Sequence, residues 1–551
     1  MTGKRILIVG GVAGGASCAA RLRRLDEQAA ITIFERGPYV SFANCGLPYH
    51  VGGVIADESK LLVATPELFR DRFSITIRTG HEVIAIDKTA KTIQVREVAT
   101  GSLATHAYDA LVLAPGAAAI KPPIPGIDLP GIFPVRTIPD ARHVRAWITD
   151  RQATSALVIG GGFIGLEMAE NLAHRGLAVT VIEKADQVLP PLDREMATLV
   201  QERLASARVS VHLGDGIAAF ALDAAGRLEA TTGRGQRIIA DLVILAVGVR
   251  PETALAQAAN LTLGSSGGIA VDETMRTSDP AIWAVGDAVE TVDVVTGARQ
   301  IIPLAGPANR QGRIAAESIC GRNARFRGVQ ATAVCGVFGL TVAMTGASEK
   351  ALTRAGITGW DAVRLHPAHH VGYYPGAKAI HLKLIYRRAD GRVLGAQAVG
   401  EEGVDKRIDV LAMAIQLGAT VQDLAEAELC YAPQYGAAKD PVNLAGFIAD
   451  NALSGDMPLS EWDVLGNGSS FVLDVREPAE CARGMIPGSL NIPLHQLRDR
   501  LSEVPTDKPV AVLCAAGQRA YYAVRILRQQ GVDARNLSGG WQTYSALVAG
   551  R

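Results

Sequence analysis

The stretch Ala156-Leu157-Val158-Ile159-Gly160-Gly161-Gly162-Phe163-Ile164-Gly165, followed by Val179-Thr180-Val181-Ile182-Glu183, decides the fold. An apolar strand runs into a turn spaced G-x-G-x-x-G, a helix extends to about His174, and a second strand ends on an acid. Gly160, Gly162 and Gly165 are the expected nucleotide-binding glycines: the first permits the tight turn, and the second lets backbone approach a pyrophosphate. The helix N-terminus offers its unpaired amides to the phosphates. Glu183 can accept ribose hydroxyls and would repel a 2′-phosphate, which favours NADH, while Lys184 beside it leaves NADPH open.

Working outward, the same grammar occurs at the start of the chain. Arg5-Ile6-Leu7-Ile8-Val9 reads as a strand, Gly10-Gly11-Val12-Ala13-Gly14-Gly15 as the turn, and a helix runs through Leu25 to a strand ending at Glu35. Val12 occupies the middle glycine position, but Gly10, Gly14 and Gly15 keep the turn open and Glu35 stands where a ribose-binding carboxylate is expected. A distant run, Ile282-Trp283-Ala284-Val285-Gly286-Asp287, ends a strand on Gly-Asp and so presents a carboxylate to a cofactor polyol. Leu111 to Gly116 and Leu242 to Gly248 are apolar strands stopping at small residues, as expected where a chain leaves one nucleotide domain and re-enters another. From about residue 327 strands alternate, a helix spans about Asp405 to Leu417, and a compact α/β module follows.

At 551 residues the chain exceeds what one core can serve, and three or four domains are expected. Lys+Arg and Asp+Glu both number 55, so no basic excess holds nucleic acid or an anionic membrane. Ile238 to Val249 contains Asp241 and is too short to span a bilayer. The N-terminal apolar run reads as a strand entering a nucleotide turn rather than a secretory leader, and a cytoplasmic location is expected.

Seven scattered cysteines do not make a disulfide framework. Two stand apart. Cys45 lies in Ser41-Phe42-Ala43-Asn44-Cys45-Gly46-Leu47-Pro48-Tyr49, soon after the first nucleotide unit, and Cys514 opens Cys514-Ala515-Ala516-Gly517-Gln518-Arg519 after the strand Val510-Ala511-Val512-Leu513. The first is placed to take electrons from a cofactor, and its reactivity calls for surroundings, Asn44 among them, that lower its pKa. The second is framed by loop amides, a helix N-terminus around Tyr521 and Arg519, all suited to an anionic sulfur. Cys18, Cys320, Cys335, Cys430 and Cys481 are taken as structural. His369 and His370 point to opposite faces of a strand, and no metal site is expected.

Residues 1 to about 450 resemble the pyridine nucleotide-disulfide oxidoreductase family, and Ser41 to Cys45 looks like its single-cysteine branch of coenzyme A-disulfide reductases, NADH oxidases and NADH peroxidases. Two-cysteine members carry a second thiol five residues on; here that position is His50, which excludes an internal redox disulfide. The tail resembles a rhodanese domain through Val472-Leu473-Asp474-Val475-Arg476-Glu477, Gly484 to Pro493, the Cys514 loop and Gly539-Gly540-Trp541. The implied fold is α/β, with two Rossmann-like nucleotide-binding domains, an α+β dimerisation domain and a C-terminal α/β rhodanese domain. The implied boundaries are 1–118 with 252–326 for FAD, 119–251 for NAD(P)H, 327–450 for dimerisation, 451–460 as linker and 461–551 for the rhodanese domain. FAD would be held by Gly10, Gly14, Gly15, Glu35 and Asp287.

The resemblance also implies a homodimer in which Tyr373 and Tyr431 come from the partner subunit to face the active cysteine. Ser17, Arg21, Arg24, Ser41, Asn44 and Lys439 would contact coenzyme A, and Arg519 a sulfur anion; Arg21 and Arg24 at helical spacing could equally be a solvated face. The expected activity is reduction of CoA persulfide, polysulfide or CoA disulfide at Cys45, with Cys514 handling sulfane sulfur. Two alternatives stand beside it: an NADH oxidase or peroxidase cycling Cys45 through sulfenic acid, and a sulfurtransferase or sulfur-carrier module whose flavin domain senses redox state.

Overall fold

The computed structural model describes residues 3–460 and 462–549. The chain packs into two compact units, one of residues up to Asp186 with Arg208–Ala331, the other of Gln187–Ala207 with residues from Thr332 onward.

In the first unit, Arg5–Val9 lies at the centre of a parallel sheet, flanked by Ala110–Leu113 and Ala30–Glu35, with Ile282–Ala284 and Thr76–Thr79 outermost. Ile6 and Ile8 are fully buried, as a strand covered on both faces requires. The helices Ala13–Leu25 and Ala305–Ile319 meet so closely that a side chain at Gly312 would overlap the Gly14 carbonyl. The second parallel sheet runs Ser210–Leu213, Ala178–Glu183, Ser155–Ile159, Leu242–Leu245, Ile132–Pro134. The chain passes between the two sheets through a paired ribbon, Ala117–Ala119 antiparallel to Val249–Pro251.

The second unit contains an antiparallel sheet, ordered Ala333–Val337, Leu340–Gly346, Val393–Gly400, Ile380–Arg387, Trp360–Leu365, and a parallel one, ordered Leu459–Ser460, Ala534–Leu537, Val510–Leu513, Phe471–Asp474, Leu490–Asn491. A turn of the parallel-sheet module is clasped by the antiparallel sheet: Ser538 Oγ accepts from the Arg364 amide at 2.8 Å, and Thr543 Oγ1 lies 3.1 Å from His366 Nε2.

Beneath the antiparallel sheet, the fully buried Lys383 ammonium lies 2.8 Å from Asp193, 2.7 Å from Glu195 and 3.0 Å from Glu349, while Arg364 reaches Glu195 at 2.6 Å. Burial opposes ionisation of Glu195, yet Lys383 and Arg364 hold its carboxyl well below the usual range. This cluster explains a departure from the expected boundaries. The helix Arg194–Ser206, expected within 119–251, packs with the second unit because its acidic first turn serves these cations.

The expected linker is also shorter than 451–460. The helix Pro441–Leu453 continues into it, and Leu459–Ser460 joins the parallel sheet. The helix after Cys514 starts at Gln518, directly behind the loop, rather than at Tyr521. Residues 1, 2, 461, 550 and 551, which include the expected domain limits 1, 461 and 551, lie outside the described residues. Among the described residues no helix is long and apolar enough to cross a membrane, and no group of three or more His, Cys, Asp or Glu could hold a metal.

Candidate active site

The two glycine turns repeat one construction. Gly10 and Gly160 take φ of +94° and +104°, and a side chain on either would overlap the carbonyl of Ala114 or Ala246 on the neighbouring strand exit. Gly15 and Gly165 let each helix close onto the turn's first carbonyl. Each turn is then drawn to its acid: Glu35 accepts from the Gly11 amide at 2.9 Å and Gly37 at 2.8 Å, and Glu183 from Gly161 at 2.7 Å and Ala185 at 2.8 Å. Neither helix N-terminus has a side-chain cap, and the space beside Gly162 is open. Uncapped amides and a carboxylate with spare lone pairs at the strand end fit a bound dinucleotide at both turns, and the open Gly162 adds room for backbone approach at the second.

Asp287 follows the outer strand Ile282–Ala284. Gly286, at φ +84°, donates its amide to Gln311 at 2.8 Å and aims the chain into the same cleft. Burial pushes the Asp287 carboxyl up, and Arg136, whose Nη2 is 3.5 Å from its Oδ2, opposes this.

Cys45 sits in the short turn Asn44–Gly46 that leads into Leu47–Gly52, and its side chain is exposed. The segment is tied to the first glycine turn by Ser41, which at φ +48° donates to the Gly11 carbonyl at 2.8 Å and accepts from Val63 at 2.9 Å. The protein groups around Cys45 do not by themselves lower its thiol pKa: burial, then the charges of Glu167 and Asp287, push it up, and its own backbone amide and then Arg136 act against them. Asn44 braces the loop once its amide is assigned the orientation that satisfies both neighbours, with the oxygen accepting from Arg136 Nη1 at 2.9 Å and the nitrogen donating to Phe42 O at 3.3 Å. His50, at the position of the absent second thiol, is buried, with Nδ1 2.7 Å from the Ile55 carbonyl. Glu167, from the second glycine-turn helix, accepts from Tyr49 Oη at 3.2 Å.

The expected coenzyme A contacts divide. Arg24 and Lys439 are exposed, but Arg21 is committed to Glu317 at 2.6 Å, and Ser17 bonds Asn309. Both partners lie on the helix Ala305–Ile319, far away in sequence. Tyr373 and Tyr431, 75% and 46% exposed, are brought together with their hydroxyls 2.8 Å apart, which raises the Tyr373 phenol. Cys430 beside them is exposed, Cys320 is partly buried, and Cys18, Cys335 and Cys481 are buried, as is Cys514.

At the other thiol, the Gly517 amide donates to Cys514 Sγ at 3.1 Å, with Gly517 at φ +101° and the helix Gln518–Gln529 starting behind it. The Trp541 amide donates to the Cys514 carbonyl at 2.8 Å, so the loop rests on the turn clasped by Arg364. Arg519 grips Glu480 through two bonds of 2.6 and 2.7 Å, holding that carboxyl down at about 2, while its guanidinium also borders the Cys514 sulfur. Burial pushes the neighbouring Cys481 thiol up to about 11.

Arg136 and Glu167 escaped the sequence reading. Glu167 lies two residues beyond a recognised motif, whereas nothing local marks Arg136.

Two dinucleotide folds serving one reactive thiol define a redox enzyme of the flavin and pyridine-nucleotide class. Residues 4–312 match the model of the pyridine nucleotide-disulphide oxidoreductase family, 332–440 its dimerisation domain, and 461–547 the rhodanese-like domain. The chain belongs to the pyridine nucleotide-disulphide oxidoreductase family, is an oxidoreductase that works with FAD and NAD(P)H, and carries a C-terminal rhodanese-like domain. It is similar to the coenzyme A disulfide reductase of Staphylococcus haemolyticus, 36% identical over 81% of this chain and 99% of that protein. Among solved structures it is similar to reduced CoADR-RHD of Bacillus anthracis, 47% identical with a TM-score of 0.97 over 100% of this chain and 99% of the other. It is also similar to a NAD-dependent persulfide reductase from A. fulgidus, 39% identical with a TM-score of 0.91 over 98% and 100% of the two chains.

Proposed function

We propose that the enzyme reduces CoA persulfide, or the related CoA disulfide and polysulfide, at the expense of NADH. The observation that carries this reading is a solitary exposed thiol, Cys45, set between the two dinucleotide folds with the packed His50 where a resolving thiol would stand. The thiol must therefore form its mixed sulfur–sulfur bond with the substrate itself. The similarity to coenzyme A disulfide and persulfide reductases supports the CoA part, and the intact Cys514 loop supports sulfane sulfur over a plain disulfide.

Gly10, Gly14, Gly15, Glu35 and Asp287 would hold FAD, and Gly160, Gly162, Gly165 and Glu183 the nicotinamide nucleotide. When bound, these groups deliver the electron pair of NADH to Cys45. The Cys45 thiolate attacks the outer sulfur of CoA persulfide, its new S–S bond forming as the substrate's breaks, and CoA thiolate leaves. Two electrons then cleave the Cys45 persulfide to thiolate and hydrosulfide, and the proton of NADH neutralises the CoA thiolate. In a cytoplasmic homodimer, the partner subunit's Tyr373 and Tyr431 are the hydroxyls suited to pass that proton. Arg24 and Lys439 remain available for CoA phosphates, whereas Arg21, with a carboxylate already on it, fits that role poorly. Cys514 takes a sulfane sulfur from a donor, releasing the donor thiolate, and yields it to CoA thiolate, which makes the persulfide that Cys45 reduces.

The test is NADH oxidation with CoA persulfide, CoA disulfide, polysulfide, oxygen and peroxide, on wild type, Cys45→Ser and Cys514→Ser. Cys45→Ser should lose at least ~100-fold with every sulfur acceptor, in the range set by removing a covalent catalyst. Cys514→Ser should keep turnover of preformed CoA persulfide and lose it when polysulfide and CoA are supplied separately. Faster turnover with oxygen or peroxide than with any sulfur acceptor would overturn the reading.

A further inference from the structure

Arg136 has no place in either nucleotide motif, yet it touches three parts of the cleft. Its Nε donates to the Ala117 carbonyl at 2.8 Å, at the point where the chain leaves the first parallel sheet. With the Asn44 amide oriented so that its oxygen faces this fork, Nη1 donates to it at 2.9 Å, on the residue before Cys45, and Nη2 stands 3.5 Å from Asp287. The side chain is aimed by its backbone: Arg136 precedes the cap Thr137, and its amide is held by Asp140 Oδ2 at 3.1 Å, as is that of Thr137 at 2.8 Å. The guanidinium remains 31% exposed and so borders the open cleft.

The charges facing Cys45 make this placement consequential. Glu167 arrives from the helix Phe163–His174 and Asp287 from the loop after Ile282–Ala284, both acidic, and Arg136 is the cation set against them. Tyr49 and His50, on the helix that follows Cys45, are turned to Glu167 and to the Ile55 carbonyl. An anionic sulfur at residue 45 therefore forms against two carboxylates, with its own backbone amide and the Arg136 guanidinium opposing them.

We propose that Arg136 is the positioning residue of the cysteine loop and the counter-charge for the Cys45 thiolate, bracing Asn44 with one arm of its fork while drawing off the field of Asp287 with the other. A lysine cannot do both, because its one ammonium has no rigid fork. This rests on Cys45 being the reactive thiol, but not on which sulfur compound it attacks.

The experiment is the pH dependence of Cys45 alkylation by iodoacetamide in the flavin-loaded enzyme, followed by mass spectrometry of the Cys45 peptide so that Cys430 does not interfere. Because Arg136 acts to lower the Cys45 pKa, Arg136→Gln should raise the midpoint by up to about one unit, slowing alkylation by up to roughly tenfold at pH below the midpoint. Arg136→Lys keeps the charge and should stay within about half a unit of wild type while losing turnover with its sulfur substrate. An unchanged midpoint in Arg136→Gln overturns the proposal, and so does an equal rise in Arg136→Lys, which would assign the effect to loop geometry alone. Should Arg136→Gln not retain flavin, Asn44→Ala cuts the bracing contact while keeping the charge: a midpoint within about half a unit of wild type supports the counter-charge, and a rise of about a unit assigns the effect to loop geometry and overturns it. Alkylation needs no sulfur acceptor, so a wrong assignment of substrate would leave this result standing.

Discussion

Single side chains in this protein are decided by partners far along the chain. Arg519, adjacent to the sulfur of Cys514, spends both arms on Glu480, whose carboxyl is held at about 2. A carboxyl depressed in the folded state stabilises it fully above the unfolded pKa of about 4.5, and that contribution is lost as pH falls toward 2. The pair is partly exposed, so Glu480→Gln should cost no more than ~1 kcal/mol at pH 7. The melting-temperature gap between wild type and variant should shrink as pH falls from about 4.5 and close near pH 2; a gap undiminished at pH 2 contradicts this account. Arg21 repeats the lesson. Its spacing from Arg24 suggests a phosphate contact, but Glu317 neutralises it, and a partner 296 residues distant leaves no trace in local spacing. Arg136 was illegible for the same reason, its bonds running to Asn44, Ala117 and Asp287.

Elements were far more legible, because their causes are local. Glycine spacing, apolar strands and terminal acids set both nucleotide turns, and the structure adds that Glu35 and Glu183 tie down the turns they were expected to serve. The glycines divide by role. A side chain at Gly160 would overlap a strand carbonyl in a left-handed backbone, whereas at Gly162 it would enter open space with φ −80°. Gly160→Ala should therefore destabilise the fold by at least ~1–2 kcal/mol, the left-handed penalty alone. Gly162→Ala should melt with wild type and raise KM for NADH roughly tenfold, by standing where the pyrophosphate approaches. Thermal melting paired with NADH titration checks both, and a Gly162→Ala enzyme with unchanged KM contradicts the pyrophosphate assignment. Element ends misled where tertiary pairing extended them, as when Leu459–Ser460 joined the parallel sheet and shortened the linker.

For the whole molecule, Tyr373 and Tyr431 share a hydrogen bond on an exposed surface of the second unit. If they serve the partner's Cys45, complementation should reveal it. In a heterodimer of Cys45→Ser with a Tyr373→Phe/Tyr431→Phe subunit, one site would hold both lesions and the other none. Mixed dimers purified with two affinity tags should then show about half of wild-type turnover, well above either parent. Activity no better than the tyrosine parent would place the hydroxyls in the same chain as the cysteine they serve. The segment 187–207 marks the limit of legibility at this scale, since only the folded chain discloses that its acids serve Lys383 and Arg364.

The turn Ser538–Gly540 has a mechanical meaning. Arg364 grips one side through Ser538, and on the other the next residue, Trp541, carries the Cys514 loop. A loop seated on such a bracket does not swing out on a tether to fetch its cargo. On the proposed function, the sulfur donor and acceptor would then come to Cys514 rather than be fetched by its loop.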